Sequence, residues 1–217
     1  MNEKGKNTQN SPISAKAQLR QKIVMTATEA FTKHGIKTIT MDEVANSVGI
    51  SKRTLYETFK DKEELLAECL QVQHKEMEEY MTRVALESEN VLEIILMFYQ
   101  KSIEMYHETN SSFFEDLNKY PKLKEETLHQ RQENSERTIE IFNKGIGQGI
   151  FRDDVNFEIV HLLVREQVNL LLNTDVCSDY PFIDVLESIV FVYMRGISTE
   201  KGQKILNDFI KEHKQQK

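Results

Sequence analysis

The sequence predicts an all-α protein, a three-helix head carrying a helix-turn-helix followed by a larger helical body. Three observations carry this reading. Only 8 Gly and 3 Pro punctuate 217 residues, too few breaks for a sandwich of many turns. Apolar residues recur at spacings of three and four, and no run alternates with a period of two. Start and stop signals frame the helical segments at the spacings that caps require.

Residues 1–13 are polar and aperiodic and read as a disordered tail. From Ser14 the pattern is helical, with Leu19, Ile23, Ala27, Ala30 and Phe31 on one face. Lys33 and His34 suit the negative end of that helix, and Gly35 supplies a left-handed cap. Thr40 with Glu43 forms a capping box for a short second helix lined by Val44, Ala45 and Val48. Gly49 ends it and Ser51 caps a third helix, whose inner face is Leu55 and Phe59. Asp61, with Glu64 as reciprocal partner, opens a long fourth helix striped by Leu66, Leu70, Gln73, Met77, Met81 and Val84. Further helices follow over about Val91 to His107, from Ser111, from Pro121 to Lys144, Phe157 to Asn173, Pro181 to Arg195, and after Thr199.

Composition narrows the class. A 39% hydrophobic and 29% charged chain is that of an ordinary globular protein. The apolar runs at Ile94–Tyr99 and Ile189–Met194 are too short to span a bilayer, and the start, MNEKGKNTQNSPIS, lacks the apolar core of a secretory signal. Cys69 and Cys177 make neither a disulfide framework nor a zinc site, so a reducing cytoplasm is expected, with no membrane partner. The net charge of −7 hides a split. Residues 1–60 hold ten Lys/Arg against five Asp/Glu, while the rest holds eighteen against thirty. A basic head on an acidic body suits a head that meets phosphate.

The stretch from Thr40 to Lys60 concentrates this charge. Two short capped helices joined at a glycine are the geometry that presents a second helix to a DNA groove. With Leu55 and Phe59 turned inward, the third helix leaves Ser51, Lys52, Arg53, Tyr56 and Lys60 outward. Lys52, Arg53 and Thr54 stand where base edges are read, the cations toward guanine and the Thr methyl toward thymine. Thr40, Ser51, Tyr56 and Lys60 suit phosphate contacts, which set register. The partner these groups fit is double-stranded DNA.

The stretch from Ile23 through Leu66 resembles the N-terminal domain of TetR-family transcriptional regulators. The residues that carry the resemblance are A-x-x-x-F before Gly35, T-I-T-M-D-E-V-A over Thr38–Ala45, and V-G-I-S-K-R-T-L-Y-E-T-F-K-D-K-E-E-L-L over Val48–Leu66. Thr58 departs from the aromatic or histidine that the family often places before the phenylalanine. The resemblance implies a helix-turn-helix DNA-binding domain over 14–61 and a ligand-binding and dimerisation domain over 62–217. It implies a homodimer on a palindromic operator, usually as a repressor, released when a small molecule alters the spacing of two heads. The long helix from Asp61 would carry that coupling.

The residues add partial support for the body's part. Phe157–Asn173 and Pro181–Arg195 are apolar around most of their circumference, as helices buried against both a core and a partner would be. Phe98, Met105, Tyr106 and Phe114, with His161 and Arg165, are candidates to line a pocket for a small hydrophobic or amphipathic ligand. Such a stripe also suits plain core. Glu158, His161, Arg165 and Asn169 form a polar line that suits either a ligand group or pairing across a dimer. No catalytic residue, cofactor or metal is expected: the six histidines lack ligand spacing, and Gly145, Gly147 and Gly149 follow a helix rather than the strand of a phosphate loop. A constitutive regulator or an activator without a ligand stays open as the alternative function.

Overall fold

The computed structural model describes residues 12–173 and 179–215. Among these the chain forms ten helices and no strands, as the spacing of apolar residues predicted. They are α1 (Pro12–His34), α2 (Met41–Val48), α3 (Lys52–Thr58), α4 (Lys62–Glu87), α5 (Val91–Glu108), α6 (Ser111–Leu117), α7 (Pro121–Gly147), α8 (Phe157–Asn173), α9 (Phe182–Ile197) and α10 (Glu200–Gln215). The first helix starts at Pro12, two residues before the expected Ser14. The remainder of the expected tail, 1–11, lies outside the described residues, as does Cys177.

The chain divides into two compact units. One comprises the described residues up to Glu76 together with Thr109–Tyr120; the other comprises Met77–Glu108 and the described residues from Pro121 onward. In the first, the inner faces of α1, α2 and α3 meet in a core that contains Ile23, Ala27, Phe31, Val44, Ala45, Val48, Leu55 and Phe59, all buried. Ala45 has no side chain beyond its methyl, so α1 and α2 can approach closely along this seam.

A short helix from later in the chain joins the same unit. The Asn110 N–H donates to Thr32 O at 2.7 Å, and the Asp116 carboxylate accepts from the Lys37 N–H at 2.7 Å. The Lys62 ammonium donates to Ile36 O and Ile39 O from the other side. The α1–α2 connection therefore has its backbone groups satisfied by side chains from α4 and α6. Burial of a charge is tolerated only when it is paired in this way. Burial tends to raise the Asp116 carboxyl, but hydrogen bonds from Lys119 and Lys37 outweigh it and hold the group below the ordinary aspartate range. For Lys62 burial wins, and its ammonium is pushed below the usual lysine range against the pull of Asp116 and Glu43.

The second unit is built around stacked rings. Phe142 lies 4.7 Å from Phe157 and 5.4 Å from Phe151, with Val91, Leu92, Leu96, Ile150, Met194, Ile197 and Leu206 buried around them. Gly145 sits in van der Waals contact with the Phe151 ring and Val91, where any Cβ would collide. Its place inside α7, which runs to Gly147 and so past the expected end at Lys144, is a close approach rather than a helix exit. A second cluster joins Tyr99 and Ile103 of α5 to Ile183 and Leu186 of α9.

Candidate DNA-binding interface

The motif forms through local signals that each take up a helix-end group. Thr40 Oγ1 accepts from the Glu43 N–H at 3.2 Å, and the Glu43 carboxylate accepts from the Thr40 N–H at 2.6 Å, completing the box. Two orphan donors at the start of α2 are thereby satisfied. Gly49 closes the helix at φ +80°, with its N–H on Ala45 O at 3.0 Å. A side chain there would be forced into the left-handed region. The chain turns and starts again at once, because Ser51 Oγ accepts from the Thr54 N–H at 3.1 Å. Asp61 caps α4 likewise, taking the Glu64 N–H at 2.9 Å. The Glu64 carboxylate reaches one residue further back than expected, to the Lys60 N–H at 2.8 Å.

With Leu55 and Phe59 fully buried, the outer face of α3 is set. The Arg53 side chain is 87% exposed and donates through Nε to Glu57 at 2.8 Å, one helical turn on. Lys52 reaches across the turn to Asp42 of α2 at 2.8 Å, and its ammonium lies 6.0 Å from the centre of the Tyr56 ring. That hydrogen bond, followed by the charge of Asp42, raises the Lys52 ammonium above the ordinary lysine range. Tyr56 and Lys60 are exposed. Surface pairs such as Lys52–Asp42 and Arg53–Glu57 are worth little in water, so phosphate or a guanine edge can displace them at small cost.

The seven residues predicted to meet DNA are exposed or half-buried, but they differ in state. Arg53, Tyr56 and Lys60 extend outward. The hydroxyls of Thr40, Ser51 and Thr54 already serve the helix ends, with Ser51 Oγ and Thr54 Oγ1 2.8 Å apart. Only their remaining hydrogen-bonding capacity is available to a phosphate. Sequence reasoning missed three cations that brace this surface. Arg20 donates to Thr58 O at 2.8 Å and to Glu68 Oε1 at 2.9 Å, Lys22 donates to Val48 O at 2.9 Å, and Lys62 holds the α1–α2 connection.

The pocket candidates are less gathered. Tyr106 stacks on Phe182 with ring centres 3.8 Å apart. Phe98 is exposed, and Met105 is half-buried. Phe114 belongs to the unit that holds the motif, where its ring meets Phe113 edge-on at 5.6 Å. His161 is half-buried, and burial, then the charge of Arg165, pushes it below the ordinary histidine range. Arg165 pairs with Glu166 at 3.2 Å. A hollow of about 260 Å³ in the second unit is lined by Val84, Glu87, Ser88, Glu93, Leu96, Met97 and Phe209, and by none of the six candidates. Among the described residues no cluster of His, Cys, Asp or Glu has the grouping of a metal site, and no helix is long and apolar enough to cross a membrane.

A capped pair of short helices with a basic outer face, set on an all-helical chain, has the form of a helix-turn-helix of a DNA-binding regulator of transcription. Residues 23–69 match the family model of bacterial regulatory proteins of the tetR family, which supports a TetR-type regulator of transcription. It is 22% identical over 162 residues to the transcriptional repressor KstR2 of Mycolicibacterium smegmatis, covering 70% of this chain and 77% of that one. Over 61 residues it is 43% identical to the uncharacterized regulator YhgD of Bacillus subtilis, 28% of this chain and 32% of that one. It also shares the fold of a transcriptional regulator from Saccharomonospora viridis solved in complex with choline, at a TM-score of 0.70, 14% identity, and coverage of 85% and 100%.

Proposed function

We propose that this regulator is a repressor that reads a palindromic double-stranded operator as a homodimer, with residues 14–61 as its head, and that a small ligand bound in the body, 62–217, releases it. The observation that carries the reading role is the outer face of α3. Lys52, Arg53 and Tyr56 of this seven-residue helix, and Lys60 just beyond it, stand exposed, while Leu55 and the capping Phe59 are entirely buried. Lys52, Arg53 and Thr54 then address base edges, while Thr40, Ser51, Tyr56 and Lys60 hold the phosphates on either side. The setting is the bacterial cytoplasm, where a regulator of transcription meets its DNA.

What supports a dimer is the exposed apolar surface of the body. Ile159, Leu162, Leu163 and Leu170 of α8, and Val192 of α9, are all exposed. An apolar stripe of this extent on a lone surface helix is unusual, and two such helices per subunit make a four-helix interface. What supports a ligand is a polar pair inside an aromatic cluster. Burial drives the Tyr99 phenol well above its ordinary range, and the Glu187 carboxylate adds to the shift through its charge and a hydrogen bond. Tyr106, Phe182 and Phe191 pack nearby. By analogy with the choline-bound neighbour, such a setting suits an amphipathic molecule. Bound ligand would favour a head spacing that no longer fits half-sites about 34 Å apart, with α4 as the coupling element.

Selection of bound duplexes from a random pool tests the proposal. The expected product is an inverted repeat with half-sites one helical turn apart. Weak binding that is blind to sequence and collapses with salt contradicts it. If no hydrophobic or amphipathic small molecule releases the selected operator, the constitutive reading replaces the ligand-controlled one.

A further inference from the structure

We propose that Arg20 is a positioning residue for DNA recognition, holding the C-terminal end of the reading helix at its working angle without touching DNA. The inference rests on the reading of α3 given above. That helix has a structural weakness. α3 has seven residues, and no basic side chain in its last turn answers the negative end of its dipole. A helix so short does not hold its own geometry and must be fixed from outside.

The Arg20 guanidinium supplies that fixing from α1. Its Nη1 donates to Thr58 O, the last carbonyl of α3, at 2.8 Å. Its face lies 4.2 Å from the centre of the Phe59 ring, the buried residue that ends the helix. Its other edge grips Glu68 of α4, with Nε on Oε1 at 2.9 Å and Nη2 on Oε2, and Glu64 stands 3.7 Å away. One planar group thus ties α1, the end of α3 and the first turns of α4 together. A guanidinium can do all three at once, because its fork serves a carboxylate while its face stacks. An ammonium, a point charge on a flexible stem, cannot.

The neighbouring cation does the same for α2. Lys22 Nζ donates to Val48 O, the last residue of that helix, at 2.9 Å. Two of the ten basic residues that make the head positive are therefore engaged on the carbonyl ends of the two motif helices. They belong to the scaffold of the reading surface, not to its phosphate contacts.

The test uses the full chain with its selected operator and a scrambled duplex of equal length. Arg20→Gln and Arg20→Lys are compared with wild type, and circular dichroism and thermal midpoint verify the fold. A positioning role predicts that both variants lose operator affinity by about tenfold or more. Affinity for the scrambled duplex, and its salt dependence, stay as in wild type, so the specificity ratio falls. Glu68→Gln, which loosens the grip from the other side, should lower the same ratio by a smaller factor. If Arg20→Gln does not fold, Arg20→Lys and Glu68→Gln carry the test. The proposal is overturned if Arg20→Lys reads the operator like wild type. It is equally overturned if Arg20→Gln weakens both duplexes alike and reduces the salt slope by about one, the behaviour of a phosphate contact. Wild-type protein that bound both duplexes equally would instead remove the assignment of α3 itself.

Discussion

On α3 and just past its end the side chains that face outward are Lys52, Arg53, Tyr56 and Lys60; on α8 they include Ile159, Leu162, Leu163 and Leu170. Both helices bury an apolar face, but α3 presents groups that water can solvate and α8 presents groups that it cannot. The head is therefore complete as a folded unit, its outer surface already in the form that meets a charged polymer. The body leaves an apolar stripe exposed on α8, the surface that the proposed dimer would cover. Function in the head is a matter of which groups are displayed. In the body it is a matter of what covers or fills the unit.

That contrast can be broken from either side. The largest effect is expected from Phe59→Ala, which removes a fully buried ring beneath the recognition helix. It should cost about 3–5 kcal/mol and abolish operator binding, while sedimentation still reports a dimer. Thermal unfolding followed by circular dichroism checks the first part. Leu163→Glu places a charge in the exposed stripe of α8 and should leave a folded monomer with a wild-type melting profile for the head. An unaltered dimer would move the interface elsewhere. Gly49→Ala forces a methyl-bearing residue into the left-handed turn at φ +80°, and the expected loss is about 1–2 kcal/mol with no change in oligomeric state.

The smallest effect is a pH dependence in the compact unit that holds the motif, which Asp116 joins through α6. The folded Asp116 carboxyl titrates below its unfolded counterpart, so its contribution is fully present above the ordinary aspartate range and disappears as pH falls through the folded value. Between about pH 5 and pH 3 the melting point of wild type should fall more than that of Asp116→Asn. Parallel curves would show that the Lys37 and Lys119 contacts contribute nothing to stability.

The same contrast explains what could be read from the residues. The capping box of Thr40 and Glu43, the Ser51 cap and the Gly49 turn all join groups within a few positions of one another, so spacing alone reveals them. The bracing cations could not be found that way. Arg20 and the Thr58 carbonyl are 38 positions apart, and Asp116 and Lys37 are 79 apart. Only the packing of α1, α4 and α6 brings them together. In the body, periodicity fails for a different reason. Leu96, Met97, Phe98 and Tyr99 are consecutive and apolar, yet Leu96 and Tyr99 are buried while Met97 and Phe98 are exposed. A helix apolar all round gives no signal for which face is core, which is pocket and which is interface.

The central claim is that α3 reads sequence through its exposed cations, and Arg53→Ala on the selected operator tests it most directly. Binding is measured on the operator and on variants changed at each base pair. The account predicts a loss equivalent to about 1–3 kcal/mol and relaxed discrimination at one base pair, repeated symmetrically in the other half-site. A uniform weakening across all variants, with the preference at every position intact, would contradict it and leave Arg53 a phosphate contact.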